Sequence, residues 1–237
     1  MSKNTKHHEI RKKLYWGIAI LGLLFFGVYY TLLGLGLLQF YRPQSDNMMP
    51  NIKPKTLVAT WKQSHFQRHD LVALYDTCLA IPGHREAVRE NYLGRIVALE
   101  GEELQIKGGQ VYINGSISKQ PYQTRNHYLM SKTNYEALKS KIPRPADAVS
   151  MSEVWVALDD QEAEEVKKMA PDLKLRDFPL TDMVSLWGQK WSIHEFGPVT
   201  IPASHVFILC DFRSNAEDSR FRGFVPLEDV HAKVIFP

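Results

Sequence analysis

The sequence predicts a mainly β protein: an N-terminal transmembrane helix followed by an antiparallel β fold with an inserted α+β subdomain. Three observations carry this expectation. An apolar run without charge extends from Leu14 to Phe40. Beyond it, short runs rich in branched and aromatic residues recur between turn signals. Between the outer groups of these runs lies a polar, proline-punctuated middle with helical charge patterning.

The first run reads LYWGIAILGLLFFGVYYTLLGLGLLQF, roughly 27 residues, longer than the ~20 a helix needs to cross the bilayer core. Phe40, Tyr41 and Arg42 follow it, where a cleaved signal peptide would show a small-x-small site, so the anchor is expected to be retained. Lys3, Lys6, Arg11, Lys12 and Lys13 precede it against a lone Glu9. The positive-inside rule then places residues 1–13 in the cytoplasm as a tail, 14–40 across the lipid bilayer of the cell membrane, and 41–237 outside.

In the extracytoplasmic part, strands are expected over Thr56 to Trp61, Asp70 to Tyr75, Tyr92 to Leu99, Leu104 to Ile106 and Val111 to Ile113. Lys107-Gly108-Gly109-Gln110 and Asn114-Gly115 are tight-turn signals that make neighbouring strands antiparallel. Strand signals return at Trp191 to His194, His205 to Cys210 and His231 to Phe236. The middle contains two helical patterns, one from Thr133 to Lys141 and one from Asp159 to Met169 with Asp159 or Asp160 as cap, acids early and lysines late. Pro143, Pro145 and Pro171 punctuate this region, so about 117–200 is expected to be an elaborated insertion.

With 237 residues, 44% of them hydrophobic, the chain is long enough for one anchor and one sizeable folded unit. A net charge of +3 without a clustered basic face gives no sign of a nucleic-acid partner. The histidines show no metal spacing: His7 and His8 lie in the tail, and His65 and His69 stand without further ligands. No metal and no cofactor is expected. Cys78 and Cys210 are compatible with one disulfide or with two separate buried thiols; the second is the expectation.

The stretch Ser45-Asp46-Asn47-Met48-Met49-Pro50 sits just beyond the anchor. It resembles the first motif of bacterial signal peptidase I, Ser-x-Ser-Met-x-Pro-Thr-Leu. Tyr92-Leu-Gly-Arg-Ile-Val-Ala-Leu-Glu-Gly-Glu is similar to the family's Tyr-x-Lys-Arg-Val-x-Gly-Leu-Pro-Gly-Asp. Val111-Tyr-Ile-Asn-Gly with Gln120-Pro-Tyr resembles its hairpin and trailing Glu-Pro-Tyr. Cys210-Asp-Phe-Arg-Ser-Asn-Ala-Glu-Asp-Ser-Arg-Phe-Arg-Gly-Phe-Val-Pro resembles Gly-Asp-Asn-Arg-x-x-Ser-x-Asp-Ser-Arg-x-x-Gly-x-Val-Pro. Four motifs in the family's order imply a signal-peptidase-like fold.

The resemblance also implies roles. In active members the serine before Met attacks the scissile carbonyl, and the lysine before Arg is the general base, kept neutral by burial. A serine of the last motif orients that lysine, and the first serine of Ser-x-Ser donates to the oxyanion. In this chain the nucleophile's position is Asn47, the base's is Gly94 and the orienting serine's is Ala216. An amide nitrogen is a poor nucleophile and glycine accepts no proton; in a serine hydrolase loss of either group costs on the order of 10⁶ in turnover. Ser45 keeps the oxyanion position, and Met48, Pro50, Arg95, Gly101, Asp211, Arg213, Asp218, Ser219, Arg220 and Gly223 keep the framework.

Two roles stay open for Ser45, a turn serine and a surviving carbonyl donor. The charged framework residues are expected to be ion pairs and turn formers. Met48 and Met49 are expected to make apolar contacts with core or lipid. Departures at Glu100, Cys210 and Phe212 place the nearby turn geometry in question. On an extended chain Ser45 and Asn47 face one side, roughly 6.6 Å apart, so Ser45 would not inherit the nucleophile's geometry. The expectation is a pseudoenzyme that binds segments of exported preproteins, or of pilin-like subunits, by strand addition. The alternative is an active endopeptidase that cleaves signal peptides with another constellation, such as Ser45 with Lys53, Lys55 or His84.

Overall fold

The structure, a computed structural model, describes residues 3–75, 91–148, 150–179 and 184–236. The chain divides into two compact units, Met1–Phe40 and Tyr41–Pro237.

The first unit is the helix α1 (Lys3–Gly34). Its stretch Arg11–Gly34, 24 residues, is long and apolar enough to cross a membrane; at 1.5 Å per residue it reaches about 36 Å. The helix differs from the expected 14–40 at both ends. It begins earlier because the Lys- and Arg-rich tail is itself composed of good helix formers. It stops at Gly34 because the next residues close a Schellman cap. Gly36, at φ 64, donates to Leu33 O at 3.0 Å, and Leu37 N donates to Leu32 O at 3.0 Å. The last apolar residues of the run leave the helix as a short strand, β1 (Leu38–Tyr41), which spans the boundary between the units.

The second unit is mainly antiparallel β. Its first strands are β2 (Val58–Lys62), β3 (Leu71–Tyr75) and β4 (Asn91–Ala98). A meander follows: β5 (Glu103–Lys107), β6 (Gln110–Ile113) and β7 (Ser116–Ile117). Lys107 pairs with Gln110 across the glycine pair, Gly108 and Gly109 both having positive φ, which the two-residue hairpin demands.

The insertion contains β8 (Arg125–Ser131), α2 (Lys132–Leu138), β9 (Asp147–Ala148), β10 (Glu153–Asp159), α3 (Asp160–Met169) and β11 (Lys174–Leu175). Asp159 caps α3: its side chain accepts from Glu162 N while the Glu162 side chain accepts from Asp159 N, a reciprocal capping box. Asp160, the other candidate cap, accepts instead from the N–H and hydroxyl of Thr124.

The chain then forms α4 (Val184–Trp187), β12 (Phe196–Thr200), β13 (His205–Leu209), α5 (Ser219–Arg222), β14 (Val225–Pro226) and β15 (Val230–Phe236). Within the second unit the main sheet runs β2-β15-β3-β4-β13-β14, so the last strand slots between two early ones. A second sheet runs β12-β5-β6-β7 and a third β11-β8-β10-β9.

Two expectations change here. Trp191–His194 is not a strand; the strand is β12, a few residues later. Asp177 explains the shift, since its carboxylate accepts from Ser192 Oγ at 2.5 Å and from His194 N at 3.1 Å. Such side-chain bonds to nearby backbone compete with a ladder. In addition, β12 pairs with β5 in the second sheet, so the inserted sheet ends at Leu175 rather than near residue 200.

Four apolar clusters fill the second unit. One, of Met48, Ile52, Val58, Ala73, Leu93, Cys210, Ala232 and Val234, lies beneath the loop that follows Tyr41. Another, with Val72, Leu74, Ile96, Val206 and Ile208, joins β3, β4 and β13. A third packs the meander against β12 and β13 through Leu104, Ile106, Val111, Phe196 and Phe207. The insertion has its own, described by Met130, Val154, Val156, Leu158 and Val166.

Candidate functional site

The loop from Ser45 to Ile52 is a pair of tight turns, with Met49 N donating to Asp46 O and Ile52 N to Met48 O, each at 2.9 Å. Met48, 1% exposed, is the apolar pin that seats it on the core. The turns overturn the extended-chain expectation for Ser45. Its hydroxyl donates to Asn47 Oδ1 at 2.5 Å, because a turn brings side chains two apart within reach. Asn47 itself is buried. Its amide Nδ2 approaches Leu93 O and Cys210 Sγ, each at 3.4 Å. Both ends of the amide thus have partners within the protein.

Gly94 lies on β4 two residues after Tyr92, so the two positions share one face of the strand. A Cβ at Gly94 would overlap Ile208 Cγ2 and come within 3.7 Å of Leu74 Cδ2. The volume beside Gly94 is therefore filled by core. Ile208 is pinned there by its own backbone, whose N–H donates to Ser219 Oγ at 2.9 Å. Ala216 packs, partly buried, against the cluster that contains Met48, Leu93 and Cys210.

Cys210 is a free, buried thiol; Cys78 and His84 lie outside the described residues. Cys210 Sγ and the Tyr92 hydroxyl are 2.8 Å apart, and that hydroxyl also reaches Glu217 O at 3.1 Å. Burial pushes the Cys210 thiol far up, with the Asp218 charge adding to it. Tyr92 is raised well above a free phenol, again first by burial and then by Cys210. Both groups stay protonated at any physiological pH. Around Asn47 the structure thus assembles an amide, a thiol, a phenol and a serine hydroxyl, with no charged group bonded to any of their side chains among the described residues. Lys53 and Lys55 are exposed on the loop.

The four sequence motifs converge beside this cluster. Arg95 grips Asp211 through two bonds, Nε to Oδ1 at 2.8 Å and Nη2 to Oδ2 at 2.6 Å, a buried bidentate pair. Asn51 Nδ2 donates to Asp211 Oδ2 at 2.8 Å, tying in the first motif. Arg95 Nη1 donates to His69 O at 2.9 Å, and its guanidinium stacks 3.9 Å from the Tyr122 ring. Arg213 Nη2 reaches Tyr122 Oη at 3.3 Å and Gln120 Oε1 at 3.2 Å. Phe212 N donates to Asn47 O at 2.8 Å, and Asn215 Nδ2 to Asp46 Oδ1 at 2.9 Å.

The last motif is braced from within. Asp218 caps α5, accepts from Cys210 N at 3.1 Å and takes Arg220 Nε and Nη2 at 2.8 Å each. Arg220, 1% exposed, also donates to Ile193 O and Arg213 O. Gly223, at φ 86, ends α5. Pro50 lies within the second turn, and Glu100, one of the departures, accepts from Ser204 N at 2.8 Å. Gly101 N donates to Ile201 O at 2.9 Å.

A sequence model of the family described as signal peptidase, peptidase S26, matches residues 14–237. The chain is 23% identical over 195 residues to a signal peptidase I of Leptolyngbya laminosa, covering 81% of this chain and 64% of that protein; it spans less than two thirds of that relative's length. A crystal structure of a signal peptidase I from Enterococcus faecalis V583 aligns with a TM-score of 0.34 at 18% identity, over 73% of this chain and 97% of that one. The chain belongs to the signal peptidase family, peptidase S26. Members of this family are membrane-associated and act on exported preproteins.

Sequence reasoning missed Tyr92, Asn51 and Ile208 as parts of the site. Tyr92 and Asn51 stand within or beside the quoted motifs, so the motif letters held a signal for them. Ile208 carried none, since a branched residue in a strand reads as core whatever space it fills.

Proposed function

We propose that this chain is a membrane-anchored member of the signal peptidase family that has lost the Ser/Lys proton-transfer pair and acts by binding. It would hold an extended segment of an exported protein by backbone pairing at a sheet edge, which needs no nucleophile. The observation that carries this reading is the fate of the two reactive positions: the Asn47 amide has partners at both ends, and Ile208 fills the space beside Gly94. The N-terminus lies in the cytoplasm and the β unit outside, as the basic tail before the apolar helix favours. The resemblance to dyad-lacking homologues encoded with surface pili supplies a concrete version, a factor that holds pilin subunits during assembly.

The test is incubation of the detergent-solubilised chain with a labelled preprotein, alongside photo-crosslinking from position 45 in cells. Capture of an exported segment without cleavage is the expected result. Cleavage that Ser45→Ala abolishes overturns the binding reading in favour of an active endopeptidase, and absence of any captured segment removes the binding reading. Ser45 is poorly placed for the active alternative, because its hydroxyl partner is an amide oxygen that does not act as a base.

A further inference from the structure

The inserted sheet has two faces of opposite character. Met130, Val154, Val156 and Leu158 point into the cluster beneath α3. By strand alternation Arg125, His127 and Trp155 point the other way. Arg176 extends this second face, its N–H donating to His127 O at 2.9 Å.

On this face basic groups and rings alternate in a row. The Arg125 guanidinium lies 5.8 Å from the Phe212 ring, and the His127 ring lies 4.9 Å from Phe212 and 4.4 Å from Trp155. Arg176 then stacks 3.7 Å from Trp155 and 4.1 Å from Phe178. Each basic residue has a buried nitrogen without a hydrogen-bond partner among the described residues: Arg125 Nε, His127 Nδ1 and Arg176 Nη1. Arg125 is only 4% exposed and has no carboxylate in ion-pair contact among the described residues.

A guanidinium so far from water is costly unless an acceptor answers it. The nearby carboxylates are committed or open to solvent. Asp46 accepts from Asn215, Asp159 caps α3, Glu162 pairs with Arg144, and Asp147 is exposed. These groups act on Arg125 and His127 by charge but leave Arg125 Nε and His127 Nδ1 unbonded.

The row begins at the candidate site. Phe212 N bonds Asn47 O, and Arg125 bridges Phe212 in parallel register. Phe212 thus stands between the Asn47 loop and Arg125. We infer that the Arg125 end of this face is a carboxylate-reading subsite: an acidic side chain of the bound segment sets its oxygens on the Arg125 guanidinium and its stem against Phe212. The inference rests on the peptide-binding reading above.

The test uses the detergent-solubilised full chain and fluorescein-labelled extended peptides that are uncharged except for one glutamate, walked along the sequence, each with a glutamine counterpart. The glutamate at one position of the walk is expected to bind about ten-fold tighter than its glutamine counterpart by anisotropy. That preference is expected to vanish in Arg125→Gln and to weaken in Arg125→Lys, which keeps the charge without the two-pronged fork; the second variant carries the comparison if the first does not fold. Equal affinity for every glutamate–glutamine pair, with crosslinking at position 45 retained, overturns the subsite and leaves the peptide-binding reading standing. No peptide binding at all overturns both. Tighter binding of a labelled oligodeoxythymidylate, lost in the same variants, assigns the face to nucleic acid and also overturns the proposal.

Discussion

Ile208 Cγ2 occupies the space into which a side chain on Gly94 would project. A proton acceptor cannot be restored at position 94 without clearing that β-branched, rotamer-stiff neighbour. Gly94→Ala is expected to destabilise by about 1–3 kcal/mol through overpacking. Ile208→Ala alone is expected to cost about 2–5 kcal/mol as a cavity. The two together should cost less than the sum of the single losses. Thermal unfolding of the four proteins measures this coupling, and strict additivity would show that the two positions do not compete for space.

The Asn47 amide makes the loop's hydrogen bonds to Ser45, Leu93 and Cys210. Asn47→Ala strands those partners and is expected to cost about 1–3 kcal/mol. Ser45→Ala, at an exposed hydroxyl, should cost less than Asn47→Ala. Asn47→Ser alone should cut no labelled preprotein, since no base stands beside it. A gain of cleavage in that variant would contradict the account of the filled base position.

Breaking the Arg95–Asp211 pair from one side leaves a buried charge unanswered. Arg95→Met or Asp211→Asn is expected to lose about 3–5 kcal/mol, with the double variant Arg95→Met/Asp211→Leu regaining part of that loss. A denaturant-melt double-mutant cycle reads the difference. A near-zero effect of either single substitution would contradict a central role for this pair in joining the motifs.

His194 is buried, its Nε2 without a partner among the described residues, and burial, helped by the nearby Arg220 charge, pushes it down to about 4. Unfolded, the same group titrates near ~6.5. The folded chain therefore resists the proton that the unfolded chain takes up. Stability from this residue is complete above about pH 6.5 and falls as pH drops toward 4, at most ~1.4 kcal/mol per pH unit. His194→Gln should flatten the melting temperature over that window. NMR titration of His194 with a midpoint near 6.5 would remove the effect.

Much of the architecture was open to reading from local pattern. The glycine pair at 108 and 109, Asn114-Gly115 and the Asp159 cap act through neighbours in the chain, so their signals stand in the letters themselves. Trp191–His194 misled because its apolar letters suit a strand, while the bonds that prevent one come from Asp177, more than ten positions upstream. Leu35 to Phe40 misled for a related reason: apolarity measures fitness for lipid, whereas the helix end was set by one left-handed residue, Gly36.

The site divides along the same line. Asn47, Gly94 and Ala216 were singled out by the resemblance of their motifs, because residue identity at a motif position stands in the letters. What took their place was not visible that way. The turn that delivers Ser45 to Asn47, the thiol–phenol contact of Cys210 with Tyr92, and the seat of Ile208 all join positions distant in sequence or depend on backbone angles. By itself the sequence determined the family, the apolar helix and the residue identities at the motif positions, Asn47, Gly94 and Ala216 among them. Tertiary structure alone decided that those positions are closed by packing and hydrogen bonds, and that three basic residues of the insertion meet in one unanswered row, because contact and burial follow from which strands lie side by side.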